Sequence, residues 1–262
     1  MRRLARLAVL TATVLGAAPI GVSGQLARQV AEVADGFVRF SYATRRDVEI
    51  CDDGIRVAQR HVSWRSRSYD DGARDCRVGF VEVELDLRRG LVREVEIVRT
   101  PDDRHRSARD FGEVTPGQAV EFLLSLAYSG ATDHGAKDAI LPATLADVDD
   151  TWQELLAMAR DRTLEQGVRT NTLFWLGQEA ATAATQGLAD VALDVDEDQE
   201  IRNSAIFALS QRAPRESVPI LIEVARSGEQ AETRRTAMFW LAQSGDERVV
   251  AFFEEILLGR VR

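Results

Sequence analysis

Three segments of the chain align without gaps: Val168-Arg169-Thr170-Asn171-Thr172-Leu173-Phe174-Trp175-Leu176-Gly177-Gln178, Ile201-Arg202-Asn203-Ser204-Ala205-Ile206-Phe207-Ala208-Leu209-Ser210-Gln211, and Thr233-Arg234-Arg235-Thr236-Ala237-Met238-Phe239-Trp240-Leu241-Ala242-Gln243. Each follows an earlier apolar stretch with helical spacing, at residues 152–160, 188–193 and 218–225, and a further stretch at 249–258 closes the array. Two helices per period of about 33 residues is the pattern of an α-solenoid, in which no repeat buries its apolar face alone. At about 100° per residue, Thr172, Trp175 and Leu176 fall within about 80° of Val168 and mark the core stripe. Leu176, Leu209 and Leu241 are therefore expected to be equivalent buried positions. Phe174 falls at about 240° and Gln178 at about 280° on the same scale. The pairs Phe174/Gln178, Phe207/Gln211 and Phe239/Gln243 thus share one flank of the second helices. Two readings stand: a partner-binding face, or packing between neighbouring repeats.

The motif V/I-R-x-x-A-x-x-A-L-G resembles the second helix of HEAT repeats. Val168-Arg169 with Leu176-Gly177, Ile201-Arg202 with Ala205, Ala208 and Leu209, and Arg234 with Ala237 and Leu241 carry the resemblance. It covers about residues 150–260, with Thr172, Trp175 and Trp240 at positions where the family keeps small residues and Thr233 at the leading apolar one. The short period is similar to that of bacterial HEAT repeats, including those of bilin-lyase-like proteins. The resemblance implies a protein-protein interaction or scaffold function, with a lyase-like or small-molecule-holding protein as the alternative. In such solenoids the second helices line the concave surface.

Before this array the period is two. Val38, Phe40 and Tyr42 alternate with polar or small neighbours, and Val81, Val83, Leu85 and Leu87 alternate with Glu82, Glu84 and Asp86. After Arg88-Arg89-Gly90 the alternation resumes to Val98, which reads as a β-hairpin. About five antiparallel strands are expected over residues 36–99, each with one buried and one solvated face, and with Val62 and Trp64 inside. Residues 101–114 are mostly charged and read as a linker. Thr115 suits a helix cap, Pro116 the first helical position, and 116–147 a degenerate first repeat. The expected class is α+β: a leader at 1–24, a β-rich part at 25–100, the linker, and the solenoid at 115–262.

Arg2, Arg3 and Arg6 followed by the uncharged apolar run Leu7–Ala18 have the form of a signal peptide, with Val22-Ser23-Gly24 suiting cleavage before Gln25. A periplasmic or secreted protein without a stable membrane anchor is expected. In an oxidising compartment Cys51 and Cys76, the two cysteines of the chain, are most simply a disulfide, worth about 3 kcal/mol through loop closure. The alternative, a site completed by His61, lacks the close paired spacings of structural zinc.

The formal net charge of −9 argues against nucleic acid as a partner, since phosphate neutralisation needs clustered cations. Lys137 is the one lysine among 33 basic residues. The run Asp190, Asp194, Asp196, Glu197, Asp198, Glu200 opens like a calcium loop but carries Gln199 where the sharp turn needs Gly and Ala205 where the bidentate Glu belongs; it reads as a solvated helix start. Arg169, Arg202 and Arg234 are placed to bond acids or carbonyls of a neighbouring repeat. His105 and His134 have no recognisable partner set. No catalytic, cofactor or metal motif is found, and a non-enzymatic interaction protein with an unidentified protein or peptide partner is the expectation.

Overall fold

The computed structural model describes residues 24–57, 75–179 and 181–259. The leader up to Ser23, together with His61, Val62 and Trp64, lies outside the described residues.

Helix α1 (Gly24–Ala31) buries Leu26 and Val30. A four-stranded sheet follows, in the order β6-β5-β1-β7, built from β1 (Gly36–Ala43), β5 (Phe80–Arg88), β6 (Leu91–Ile97) and β7 (Arg109–Glu113). The alternation does what period two requires. Val38, Phe40 and Tyr42 of β1 lie beside Leu85, Val83 and Val81 of β5 in antiparallel register, and all six are fully buried. The β5–β6 hairpin turns at Arg89 (φ 54°) and Gly90 (φ 74°). Both sit in the left-handed region, as a two-residue type I′ turn demands. A second sheet, in the order β3-β2-β4, contains β2 (Val48–Cys51), β3 (Gly54–Val57) and β4 (Cys76–Val78). Cys51 and Cys76 stand directly opposite across β2 and β4 and are joined, with Cα atoms 4.0 Å apart.

Two expectations need correction here. Residues 101–114 are not a bare linker. They hold a 3-10 turn at Pro101–Asp103 and the edge strand β7, which runs parallel to β1. The face of β5 expected to be solvated is also largely covered, because residues 101–108 cross it. Arg104 bonds Glu82 (Nε to Oε1, 2.7 Å), Arg39 reaches Glu82 at 3.3 Å and Glu84 at 3.6 Å, and His105 Nδ1 meets Glu84. The His105 ring stacks on Phe37 at 3.6 Å. Glu84 is left 3% exposed, a buried carboxylate that is paired, as burial demands.

Helix α2 (Pro116–Ser125) opens with a capping box. Thr115 Oγ1 accepts from the Gln118 N–H and Gln118 Oε1 accepts from the Thr115 N–H. Residues 116–147 do not form a repeat pair. After α2 they break into two short helices, α3 (Asp133–Asp138) and α4 (Ile140–Leu145). The left-handed Gly130 (φ 89°) ends the run, and Gly135 lets α3 touch β6; a Cβ there would lie 2.5 Å from the Val92 carbonyl oxygen. Helices α2, α3 and α4 pack against the sheet, and α3 and α4 also pack against the first repeat helices.

The repeats are two layers. Helices α5 (Thr151–Arg160), α7 (Thr182–Leu193), α9 (Pro214–Ser227) and α11 (Glu247–Leu257) form one layer; α6 (Gln166–Gln178), α8 (Gln199–Ser210) and α10 (Ala231–Gln243) form the other. Leu176, Leu209 and Leu241 have no exposed surface, as the shared register requires. At Gly177 the helices α6 and α8 approach so closely that a Cβ would lie 2.8 Å from the Ala208 carbonyl oxygen.

Candidate functional site: the face of the second helices

The equivalent phenylalanines meet. Phe174 and Phe207 stack with ring centroids 6.3 Å apart and planes 15° from parallel. Phe207 continues to Trp240 at 4.9 Å, and Trp240 to Phe239 at 5.1 Å. At the other end Phe174 packs edge-on to Trp175 at 4.9 Å. Five rings from three helices therefore make one continuous row. Their exposure is graded: Trp175 is buried, Phe174 and Phe207 are half-buried, and Phe239 is 55% exposed. Gln178 is half-buried beside the row, while Gln211 and Gln243 are exposed. Thus the row is inter-repeat packing at its first helices and open apolar surface at its last. The tryptophans that occupy small-residue positions of the motif are what extend it.

Polar side chains run alongside. Asn203 Oδ1 accepts from Thr236 Oγ1 across α8 and α10 at 3.0 Å and from Gln199 Nε2 at 2.9 Å. At the matching places on α6, Thr170 Oγ1 and Asn171 Oδ1 are buried atoms with no hydrogen-bond partner. Buried polar atoms are nearly always satisfied, so these two mark a place where the surface is incomplete.

The repeated arginines are structural. Arg169 is 3% exposed, donates to the Ala159 carbonyl at 2.9 Å, and forks onto Glu197 of the next repeat, with one bond at 3.1 Å. Arg202 bonds the Asp194 carbonyl, Gln199 and, one repeat on, Gln230. Arg234 ends on the carbonyls of Gly228 and Glu229 at 2.7 and 2.9 Å. In the acidic run Asp190 pairs with Arg160 at 2.9 Å and Asp194 with Arg162 at 3.4 Å. Glu197 is its one buried acid; Asp190, Asp194, Asp196, Asp198 and Glu200 are exposed, as a solvated helix start requires. Burial opposes the Glu197 charge, but the bonds from Arg169 and the Asp198 N–H, with Arg169 and Arg162 as nearby charges, hold its carboxyl below the ordinary range.

Glu49, Cys51 and Cys76 bring ligand atoms within 4.8 Å of one another. Both sulfurs are bonded to each other, so neither is a thiolate able to take a metal. His105 serves Glu84, and His134 Nε2 lies 3.3 Å from Asp138. Sequence reasoning missed the partner of His105 because it depends on which strands become neighbours, whereas Asp138 follows His134 by four residues on α3, a spacing that the sequence alone displays.

It also missed a cleft of about 510 Å³ where the sheets meet the repeats. Ile55, Val95, Ile97, Leu141, Pro142 and Trp175 supply apolar walls; Lys137 and Asn171 line the side toward α6. Asn171 and Trp175 are one turn apart on α6, and Trp175 also packs edge-on against Phe174, so the cleft and the aromatic row share Trp175. Its one clear signal in the sequence was a lone lysine among arginines.

Among the described residues no helix is long and apolar enough to cross a membrane. No curated protein matches the chain. The family of HEAT repeats matches residues 185–261, the stretch that holds α8 to α11 and most of α7, and this match supports reading the helical array as HEAT repeats.

Proposed function

We propose that the chain is an exported, non-enzymatic protein that holds another polypeptide along the face of α6, α8 and α10. The observation that carries this reading is the unbroken row Trp175, Phe174, Phe207, Trp240 and Phe239, open at its Phe239 end. Exposed apolar surface such as the Phe239 end of this row marks an interaction site, and the amide and hydroxyl groups beside the row suit the hydrogen-bonding groups of an extended backbone. The HEAT-repeat match supports it, since such repeats are generally interaction or scaffold modules. Export rests on the leader-like first 24 residues and is supported by the Cys51–Cys76 disulfide, a bond of oxidising compartments. Two measurements test the reading. N-terminal sequencing of protein recovered from outside the cytoplasm is expected to begin at or near Gln25; a chain starting at Met1 would refute export. Pull-down from periplasmic extract with the unaltered protein and with a Phe239→Ser variant, whose ring is 55% exposed, at matched melting temperature is expected to recover a protein with the first alone. Equal recovery would remove the row as the binding face.

A further inference from the structure

The cleft at the start of the aromatic row is where its polar chemistry is left unmatched. Lys137 is half-buried, and among the described residues its ammonium has no carboxylate within ion-pair distance and no hydrogen bond. It lies against the first turn of α6: a Cβ on Gly167 would sit 2.5 Å from Nζ. A cation at the positive end of a helix is the unfavourable arrangement. It is relieved when an anion lies beside both, bound by the ammonium and by the N–H groups of the helix start. Arg99, at the rim, likewise has no ion-pair partner among the described residues. One turn further along α6, about 5.4 Å, Asn171 Oδ1 is a buried acceptor with no donor. Trp175, Leu141, Pro142 and Ile97 complete an apolar wall.

Three carboxylates share the cleft, and two are already engaged. Asp103 accepts the N–H groups of Arg99 and Thr100 at 3.2 and 2.9 Å. Asp138 faces His134. Glu96 is exposed at the rim. The demand that remains inside is for an anion at Lys137 and an N–H donor at Asn171, with an apolar group between them. Ile55 of β3 with Val95 and Ile97 of β6 form the sheet wall of the cleft, opposite Asn171 and Trp175 of α6.

We infer that this cleft binds the C-terminal residue of a polypeptide, with its α-carboxylate at Lys137 and the first turn of α6, its amide N–H on Asn171 Oδ1, and its apolar side chain against Trp175, Leu141 and Pro142. The inference rests on the reading of the row as a polypeptide-binding face and adds which end of the polypeptide is recognised.

The test uses the full chain, immobilised, and two pools of N-acetylated hexapeptides of randomised sequence ending in Leu, Ile, Val or Phe. One pool carries the free carboxylate and the other the C-terminal amide. Retention is read by mass spectrometry. The carboxylate pool is expected to be retained about tenfold or more over the amide pool, the scale of a lost charge-assisted contact. Lys137→Met is expected to abolish that preference without lowering the melting temperature, and Phe207→Ser to weaken both pools alike. Equal retention of both pools that Phe207→Ser still weakens would overturn the end recognition and leave the groove standing. A preference that survives Lys137→Met would overturn this cleft as its seat. Retention of neither pool would overturn both readings.

Discussion

Glu197 shows how much of this array depends on single side chains. It is nearly buried, and its charge is tolerated because the Arg169 guanidinium forks onto it while the Asp198 N–H donates at 2.8 Å. Burial alone would raise its pKa; those bonds and the neighbouring positive charge outweigh it, and the folded carboxyl titrates below its unfolded value. The sign of the linkage follows. The pair's contribution is fully present above the unfolded pKa and is lost as pH falls through the depressed folded one. The expected outcome is a stability that drops as the medium is acidified below the ordinary carboxylate range, with Glu197→Gln less stable at neutral pH and flatter across that acid window. Urea melts at a series of pH values check this; parallel curves for the two proteins would show that the pair carries no titration. Arg202 reaches one repeat on to Gln230, a neutral acceptor, so the clamp between the second and third repeats has no such carboxylate to lose.

The elements that stand out in the sequence are those whose own period matches their burial. The second helices repeat so exactly that Leu176, Leu209 and Leu241 fall at one depth, and the β5–β6 hairpin is announced by alternation around Arg89-Gly90. The strand β7 was not legible. Arg109-Asp110-Phe111-Gly112-Glu113 has no apolar alternation because it is an edge strand held by β1 on one side only. The covered face of β5 was hidden too, since Glu82 and Glu84 look solvated until Arg39, Arg104 and His105 arrive from elsewhere in the chain. The rows of the candidate site were legible as positions, but the cleft beside them was not, because its walls come from β3, β6, α3, α4 and α6. Spacing between α6 and α8 is set by Gly177, whose missing side chain faces the backbone and Cβ of Ala208 at 2.8 and 2.9 Å. A backbone cannot step aside as a flexible side chain can. Gly177→Ala is therefore expected to cost about 1–3 kcal/mol through overpacking, despite the better helix propensity of alanine. Chemical denaturation gives the value, and a variant as stable as the parent would mean that the two helices are free to part.

At the scale of the molecule the β-rich part and the repeats are tied at several points. Tyr42, fully buried on β1, donates its hydroxyl to the Pro142 carbonyl of α4 at 2.8 Å. Burial holds that phenol well above its usual pKa, so it stays a donor. The Arg45 N–H donates to the Leu145 carbonyl at 3.1 Å, the Asp147 N–H to that of Ala43 at 3.1 Å, and the Arg45 side chain pairs with Glu179 at the end of α6 at 3.2 Å. Buried apolar residues form one cluster from Leu26 to Phe252 without a gap at the former linker. An isolated solenoid loses order from its ends because each repeat touches only its neighbours. Here the first repeat is backed by α3 and α4, which rest on the sheet, whereas the last is covered by α11 alone, which buries Val249 and Phe252 but leaves Leu257 85% exposed. Opening is therefore expected to be one-sided. In hydrogen exchange read by mass spectrometry, peptides from α11 should exchange first, by local opening. Peptides from β5 and from α6 should exchange together and last, at the same denaturant midpoint. Tyr42→Phe, which leaves the Pro142 carbonyl without its donor, should lower that shared midpoint by the equivalent of about 1–3 kcal/mol while leaving α11 unchanged. Separate midpoints for β5 and α6 would mean that the bonds of Tyr42, Arg45 and Asp147 are too weak to make the sheet and the first repeats one cooperative unit, and the cleft between them would then lose the fixed walls on which recognition of a chain end depends.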